Sequence, residues 1–331
     1  MNVKWAYTTV NTWRECNRKY YFASVLANHN RKNLVRRKAY ELRAMQNLTM
    51  WKGSVVDKFL EVVIIPMITA QKELDFQCLS EQAVAFARKQ FRFSENKLYD
   101  NPELKKGDIE SEYCILDIHE TGQPYTEQDL LVCYDDIRKA ILNIPLVVLP
   151  DGRHLMNLLK EANWLKPNVE DRLVYVGNAI VKPQMDLLVS DNWKPVIIDW
   201  KLSDSMVSDY ARQLQISGLT IYKKRLDTPG KPPYLFEDIG LLEVNLLKGI
   251  AKHHDFNQEI YNNTIDYISL TSRDIALMTG EDIDIEDFEL TNNQVSCKNC
   301  NFRLLCGYLI KNNNIYDEGS YLKSVPDRQL V

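Results

Sequence analysis

Three cysteines near one end of the chain, Cys297, Cys300 and Cys306, follow the spacing C-x2-C-x5-C. Three soft ligands in so short a segment need a fourth. Cys16, in the run Arg14-Glu15-Cys16-Asn17-Arg18-Lys19-Tyr20-Tyr21-Phe22, is the natural candidate. A fold that gathers these four must bring together segments separated by most of a 331-residue chain, and closing so long a loop costs chain entropy that ligation would offset. Four thiolates suit tetrahedral zinc or an iron–sulfur cluster, and a C-x2-C knuckle alone leans slightly toward zinc. The total of 7 cysteines is odd, which argues against a secreted disulfide framework and for thiol ligation in a reducing compartment. Cys78, Cys114 and Cys133 lack partners at ligand spacing and read as ordinary core or partly exposed thiols.

A second constellation lies between the cysteines. Met185-Asp186-Leu187-Leu188 and Ile197-Ile198-Asp199-Trp200-Lys201 read as two apolar strands, each carrying an acid. Residues i and i+2 of a strand share a face, so Asp199 and Lys201 lie on one side, and a hairpin partner brings Asp186 next to Asp199. Carboxylates that close repel unless a cation sits between them, and hard oxygen donors suit Mg²⁺ or Mn²⁺. A lysine there can orient an attacking water or stabilise charge building on a phosphate. A surface hairpin with a salt-bridged Asp and Lys is the plain alternative. The apolar run Val196-Ile197-Ile198 weighs against it, because a carboxylate at the end of a buried strand is costly when idle.

Together these residues resemble the PD-(D/E)xK nuclease superfamily, in particular its RecB-like branch. That resemblance implies that Asp186 and Asp199 bind metal, that Lys201 acts in catalysis, and that Gln213 supports the site or contacts DNA. Upstream, Gly53-Ser54-Val55-Val56-Asp57 matches the branch's Gly-x3-His motif with Asp57 in the place of the metal-binding histidine. The resemblance therefore assigns Asp57 to the metal as well. Glu61, one helical turn on, either backs the site or pairs with Lys58. Pro183 and Ser217 stand where the family often has glycine and tyrosine. With the cysteine spacing, the chain is similar to the iron–sulfur nucleases of the Cas4 and AddB type, which implies a [4Fe–4S] cluster on Cys16, Cys297, Cys300 and Cys306, clasping the terminal segments around the nuclease core.

The implied fold is mixed α/β, with a core sheet flanked by helices. Its expected parts are an N-terminal helical segment over 1–66, a helical insertion over 67–165, the nuclease core over 166–255, and a helical, cluster-binding region over 256–331. A capped helix is expected to carry Cys16, and Trp51 to Ile65 to form a buried helix ended at Pro66. Breaks fall at Asn101-Pro102, Gly122-Gln123-Pro124 and Pro150-Asp151-Gly152. Leu173 to Val176, Met185 to Val189 and Pro195 to Trp200 suggest a three-strand meander. A helix is expected over Ser208 to Lys224, a strand over Ile239 to Leu247, and a further helix over Asp255 to Met278. Arg31-Lys32 and Arg36-Arg37-Lys38, with Arg14, Arg18 and Lys19, read either as a solvated helix face or, slightly favoured by the nuclease motifs, as a groove for phosphates. His253-His254 reads as surface histidines, and Glu281 to Asp287 as an acidic loop or edge strand without the glycine of a calcium loop.

No apolar run approaches the ~18 residues that span a bilayer, and the start of the chain lacks the apolar stretch of a signal peptide, so no membrane association and a cytoplasmic location are expected. A net charge of −4 does not advertise nucleic-acid binding, but a local basic groove is compatible with it. No glycine-rich phosphate loop is present, so ATP hydrolysis would fall to a partner. The resemblance implies a DNA nuclease acting on single strands or DNA ends in repair, CRISPR or antiviral defence, beside a helicase/ATPase or defence-complex protein. The alternative, favoured by the replaced histidine, is an inactive DNA-binding or assembly subunit of the same fold.

Overall fold

The computed structural model describes residues 2–29, 32–101, 103–104, 109, 111–170, 173–203, 210–279 and 283–325. Arg31, Pro102, Ser208, Asp209, Glu281 and Asp282 lie outside them. The chain is mixed α/β and divides into two compact units, each drawn from three stretches of sequence. The first takes Met1–Tyr7, Lys52–Ala85 and Tyr134–Leu277; the second takes Thr8–Trp51, Phe86–Cys133 and Met278–Val331. Among the described residues, no helix is long and apolar enough to cross a membrane.

All the strands among the described residues belong to the first unit. They are β1 (Val3–Trp5), β2 (Trp164–Val169), β3 (Val174–Val176), β4 (Ala179–Val181), β5 (Met185–Asp191), β6 (Lys194–Lys201), β7 (Gly240–Asn245) and β8 (Ile250–His253). The larger sheet has the order β2-β5-β6-β7-β8, and only its β6–β7 pair is parallel. A parallel pair needs a crossover, supplied here by the helix Ala211–Leu226, which packs on β6 and β7. A methyl group at Gly218 in that helix would approach Phe256 at 3.2 Å and Leu241 at 3.3 Å, so glycine lets the helix settle against the sheet.

The expected meander divides. β5 and β6 form a hairpin, but β3 turns through Gly177 (φ 56°) to pair with β4 in a separate sheet completed by β1. The apolar pattern marked β3 as a strand without naming its partner. The stretch expected to be helical up to 165 already contains the start of β2, which pairs antiparallel with β5. The expected stop at Pro66 is also corrected. The helix Leu48–Phe59 runs into a π-turn over Leu60–Ile64 and then a further helical turn over Ile65–Thr69. Pro66 sits in the first turn of that last segment, where a missing N–H costs little.

The second unit is helical around an aromatic core. Phe22 and Phe302 stack at 5.4 Å, with Leu42, Tyr99 and Leu305 buried around them. Arg18 Nε donates to Phe288 O at 2.8 Å, and Asn301 Nδ2 donates to Leu42 O and Met45 O. Early and late segments of the chain are thus held together by ring packing and main-chain hydrogen bonds.

Charges read as a phosphate groove include two that are buried. Arg37 and Lys38 are 6% and 8% exposed. Arg37 Nε bonds Glu41 Oε1 at 2.8 Å, while Lys38 Nζ reaches Glu120 at 2.7 Å and Glu41 at 3.1 Å. Tyr99 Oη donates to Glu120 Oε2 at 3.0 Å. These cations are committed to carboxylates inside the unit and do not face a nucleic acid. Arg18 is likewise bonded to Phe288 O, and Lys19 pairs with Glu15 at 2.7 Å. Of the acidic run, residues 283–287 form a loop and a 3₁₀ turn with no strand.

Candidate functional site

Strand register assembles an acidic row on one face of the larger sheet. Leu187 faces Ile198 across the β5–β6 hairpin, so the next pair along is Asp186 beside Asp199. Asp186 lies at the start of β5. On the other side Asp199 is level with Glu243 of the parallel β7. Partners in register point to the same face, so three carboxylates line up across three strands.

Each is held by named groups. Asp186 Oδ2 accepts from the Trp200 amide at 2.8 Å. Asp199, 4% exposed, accepts from Gln213 Nε2 at 3.2 Å and pairs with Lys201. Lys201 Nζ lies 4.2 Å from the centre of the Tyr210 ring, a cation–π contact that fixes the lysine beside Asp199. Gln213 comes from the first turn of the crossover helix, so the helix that makes β6 and β7 parallel also delivers the amide to the site.

Asp57 joins from the helix Leu48–Phe59. Burial pushes its carboxyl well above the usual carboxylate range, Asp186 and then Asp199 push it further, and Lys201 opposes them. Its Oδ1 is buried without a hydrogen-bond partner. Asp186 is pushed up to about 7, first by burial and then by Asp199, against the Trp200 amide and Lys201. Asp199 is also raised, burial outweighing the pull of Lys201, with Glu243 adding and His254 opposing. Burial works to lower Lys201, but the charge and hydrogen bond of Asp199 outweigh it and the ammonium is stabilised. Three acids and one lysine share a poorly hydrated space, and each carboxylate carries an electrostatic cost that a cation would relieve.

All five residues picked out for this site, Asp57, Asp186, Asp199, Lys201 and Gln213, therefore come together in the first unit. Glu61 takes the plainer of its two readings: it pairs with Lys58 at 3.0 Å. Three participants were missed. Nothing in the sequence marks Tyr210, just ahead of the crossover helix, as the neighbour of Lys201, and Glu243 lies in a strand whose parallel register short-range pattern does not encode. His254 was expected at the surface. It is 7% exposed, and its Nε2 lies 2.9 Å from Glu243 Oε2, whereas its neighbour His253 is exposed.

No protein-family model matches the chain, and no curated protein matches it in sequence.

The four cysteines all fall in the second unit. Cys16 is not inside a helix as expected. It is the extended N-cap of the short helix Asn17–Tyr20, and its Sγ accepts from the Lys19 amide at 3.4 Å. Cys297, Cys300 and Cys306 span the turn between the helices Gln294–Lys298 and Arg303–Lys311. Burial pushes the Cys306 thiol up to about 11, Arg18 opposes, and Cys300, Cys16 and Cys297 add to the rise. Cys306 thus lies within electrostatic reach of the other three thiols, and all four are free. Cys114 and Cys133 are buried and Cys78 is exposed, as the spacing implied. Among the described residues, no group of three or more His, Cys, Asp or Glu side chains is arranged to hold a metal ion.

Two features bear on what these sites suit. The unpartnered Asp57 Oδ1, set among mutually repelling carboxylates, fits a hard divalent cation. Four free thiols, two of which, Cys300 and Cys306, are favoured in their protonated form chiefly by burial, fit a cationic centre that would displace those protons.

Proposed function

We propose that the protein is a metal-dependent DNA nuclease with a PD-(D/E)xK fold, working in the cytoplasm and carrying a structural [4Fe–4S] cluster. The observation that carries this reading is the buried row of Asp186 and Asp199 with Lys201 bonded at its edge, joined by an Asp57 whose Oδ1 has no partner. Such an assembly is costly to fold and has no evident structural use.

In this reading Asp57, Asp186 and Asp199 hold Mg²⁺ or Mn²⁺, which supplies positive charge against the phosphate and acidifies water. Lys201, freed from part of its pairing with Asp199, orients the attacking water and donates to a phosphate oxygen. Gln213 keeps Asp199 aimed, and the Trp200 amide does the same for Asp186. Tyr210 limits the swing of the lysine head. Cleavage of end-labelled single-stranded and duplex DNA with Mg²⁺ or Mn²⁺ tests the reading. Wild-type protein inert under both metals on both substrates would leave only a DNA-binding or assembly role. A helicase/ATPase or defence-complex partner is part of the same proposal, since the chain has no phosphate-binding loop of its own.

The cluster has its own test. Protein purified without oxygen is expected to be brown, with broad absorbance near ~400 nm, and Cys306→Ser should lose that absorbance. Colourless protein holding stoichiometric zinc would refute the iron–sulfur assignment and keep the clasp.

A further inference from the structure

The β5–β6 hairpin closes with two residues between Asp191 and Lys194. Both have positive φ, Asn192 at 49° and Trp193 at 65°, the pattern of a type I′ turn whose second position favours glycine. A tryptophan there is strained and 73% exposed. Its amide is tied down by Asn163 Oδ1 at 2.8 Å, so the turn is well formed and the ring is presented to solvent.

Trp193 borders a cleft of about 280 Å³ in the first unit. Trp164, 39% exposed, lines it with Lys224, Arg225, Lys231 and Tyr234. No acid lines it. Arg225 Nε donates to Pro232 O and its guanidinium lies 4.6 Å from the centre of the Tyr234 ring, which fixes a cation beside an aromatic. Lys224 and Lys231 form no ion pair among the described residues. Lys224 and Arg225 complement the C-terminal end of the crossover helix. That explains neither Lys231 nor a tryptophan in a glycine position.

We infer that this cleft is a binding platform for single-stranded DNA, with bases stacking on Trp193 and Trp164 and phosphates paired with Lys224, Arg225 and Lys231. Exposed aromatics interleaved with cations are what an unpaired strand requires, because every base has a stacking face and every linkage carries a charge. The cleft and the acidic row share a sheet face. Ser190 and Pro195 line the cleft, while Asp186 lies four residues back along β5, about 13 Å away at strand rise. Gln213 and Lys224 mark the two ends of the same helix, about 16 Å apart at helical rise. The cleft would hold a strand whose continuation reaches the acids. The inference rests on the nuclease reading for its choice of substrate, but its residues are separate from the site.

The test is equilibrium binding of a fluorescent oligothymidylate of about a dozen nucleotides to the full chain in EDTA, across a salt series. Trp193→Gly restores the residue the turn favours, so its melting temperature should equal or exceed wild type while affinity falls roughly 5- to 100-fold. Lys224→Gln with Lys231→Gln should flatten the slope of log K against log salt by about 1.4. An abasic oligomer should bind more weakly than the thymidylate. Unchanged affinity in Trp193→Gly, an unchanged salt slope in the lysine variant, or equal binding of the abasic oligomer would each overturn the platform. The nuclease reading is read separately, from cleavage of end-labelled DNA by the wild-type protein with Mg²⁺ or Mn²⁺, so failure of the platform and failure of the nuclease reading give different results.

Discussion

Asp199→Ala is expected to lower metal-dependent DNA cleavage by roughly 10³-fold or more while the protein stays folded. Asp199 occupies the middle of the acidic row: it holds Lys201, receives Gln213 and sits between Asp186 and Glu243. Removing it takes away a metal donor and the partner that places the lysine, so Lys201→Ala should lose most of the same activity. Paired variants of this kind act as a unit, and the double variant should be little worse than either single one. Full activity in either would end the nuclease reading.

Stability supplies a readout independent of turnover. Folded Asp186 has its carboxyl raised to about 7, above the ~3.9 of a free aspartate. A raised value means that the folded state prefers the protonated acid, so its contribution to stability is full below about pH 4 and is lost as pH rises through 7. Asp57 shifts in the same direction. Metal-free protein should therefore lose up to a few kcal/mol between pH 4 and 7 from these acids. Mg²⁺ or Mn²⁺ should raise the melting temperature more at pH 8 than at pH 5. Asp57→Asn, which removes a buried charge and keeps the shape, should stabilise the metal-free protein at pH 8 and shrink the gain from metal. A melting temperature that ignores both pH and metal would show that the carboxylates do not act as one cation site.

The acids and the lysine were legible because two-residue periodicity fixes which side chains share a strand face, and a hairpin is a short-range event. Asp199 and Lys201 needed nothing beyond β6, and Asp186 needed only its neighbour in sequence. Glu243 was not legible, since its place beside Asp199, some forty residues earlier in the chain, depends on a parallel register set by the helix between them. The same limit hid the burial of His254, whose partner is Glu243. The strand β3 was found but assigned to the wrong sheet, because apolar alternation tells a strand from a loop without saying which edge it joins. The turn at Trp193 had no signal either: its two positive φ values occur without the glycine that usually announces them.

Charged residues were the hardest to read, and Lys38 gives the sharpest check. In sequence, Arg36-Arg37-Lys38 looks like a solvated or phosphate-binding run. Helical spacing places Glu41 within reach of both Arg37 and Lys38, but the second acid, Glu120, arrives from a distant helix, and Tyr99 seals it. Lys38→Met is therefore expected to destabilise the second unit by about 3–5 kcal/mol, because it takes the ammonium from two buried carboxylates, leaving Glu41 to Arg37 and Glu120 with the Tyr99 hydroxyl but without that charge. Urea unfolding followed by the fluorescence of Trp13, which belongs to that unit, measures the loss. Adding Glu120→Gln to Lys38→Met should recover part of it by removing one stranded charge, an interaction the double-mutant cycle isolates. A lysine that served DNA instead would behave in the opposite way: Lys38→Met would weaken oligonucleotide binding, flatten its salt dependence and leave the unfolding midpoint where it was.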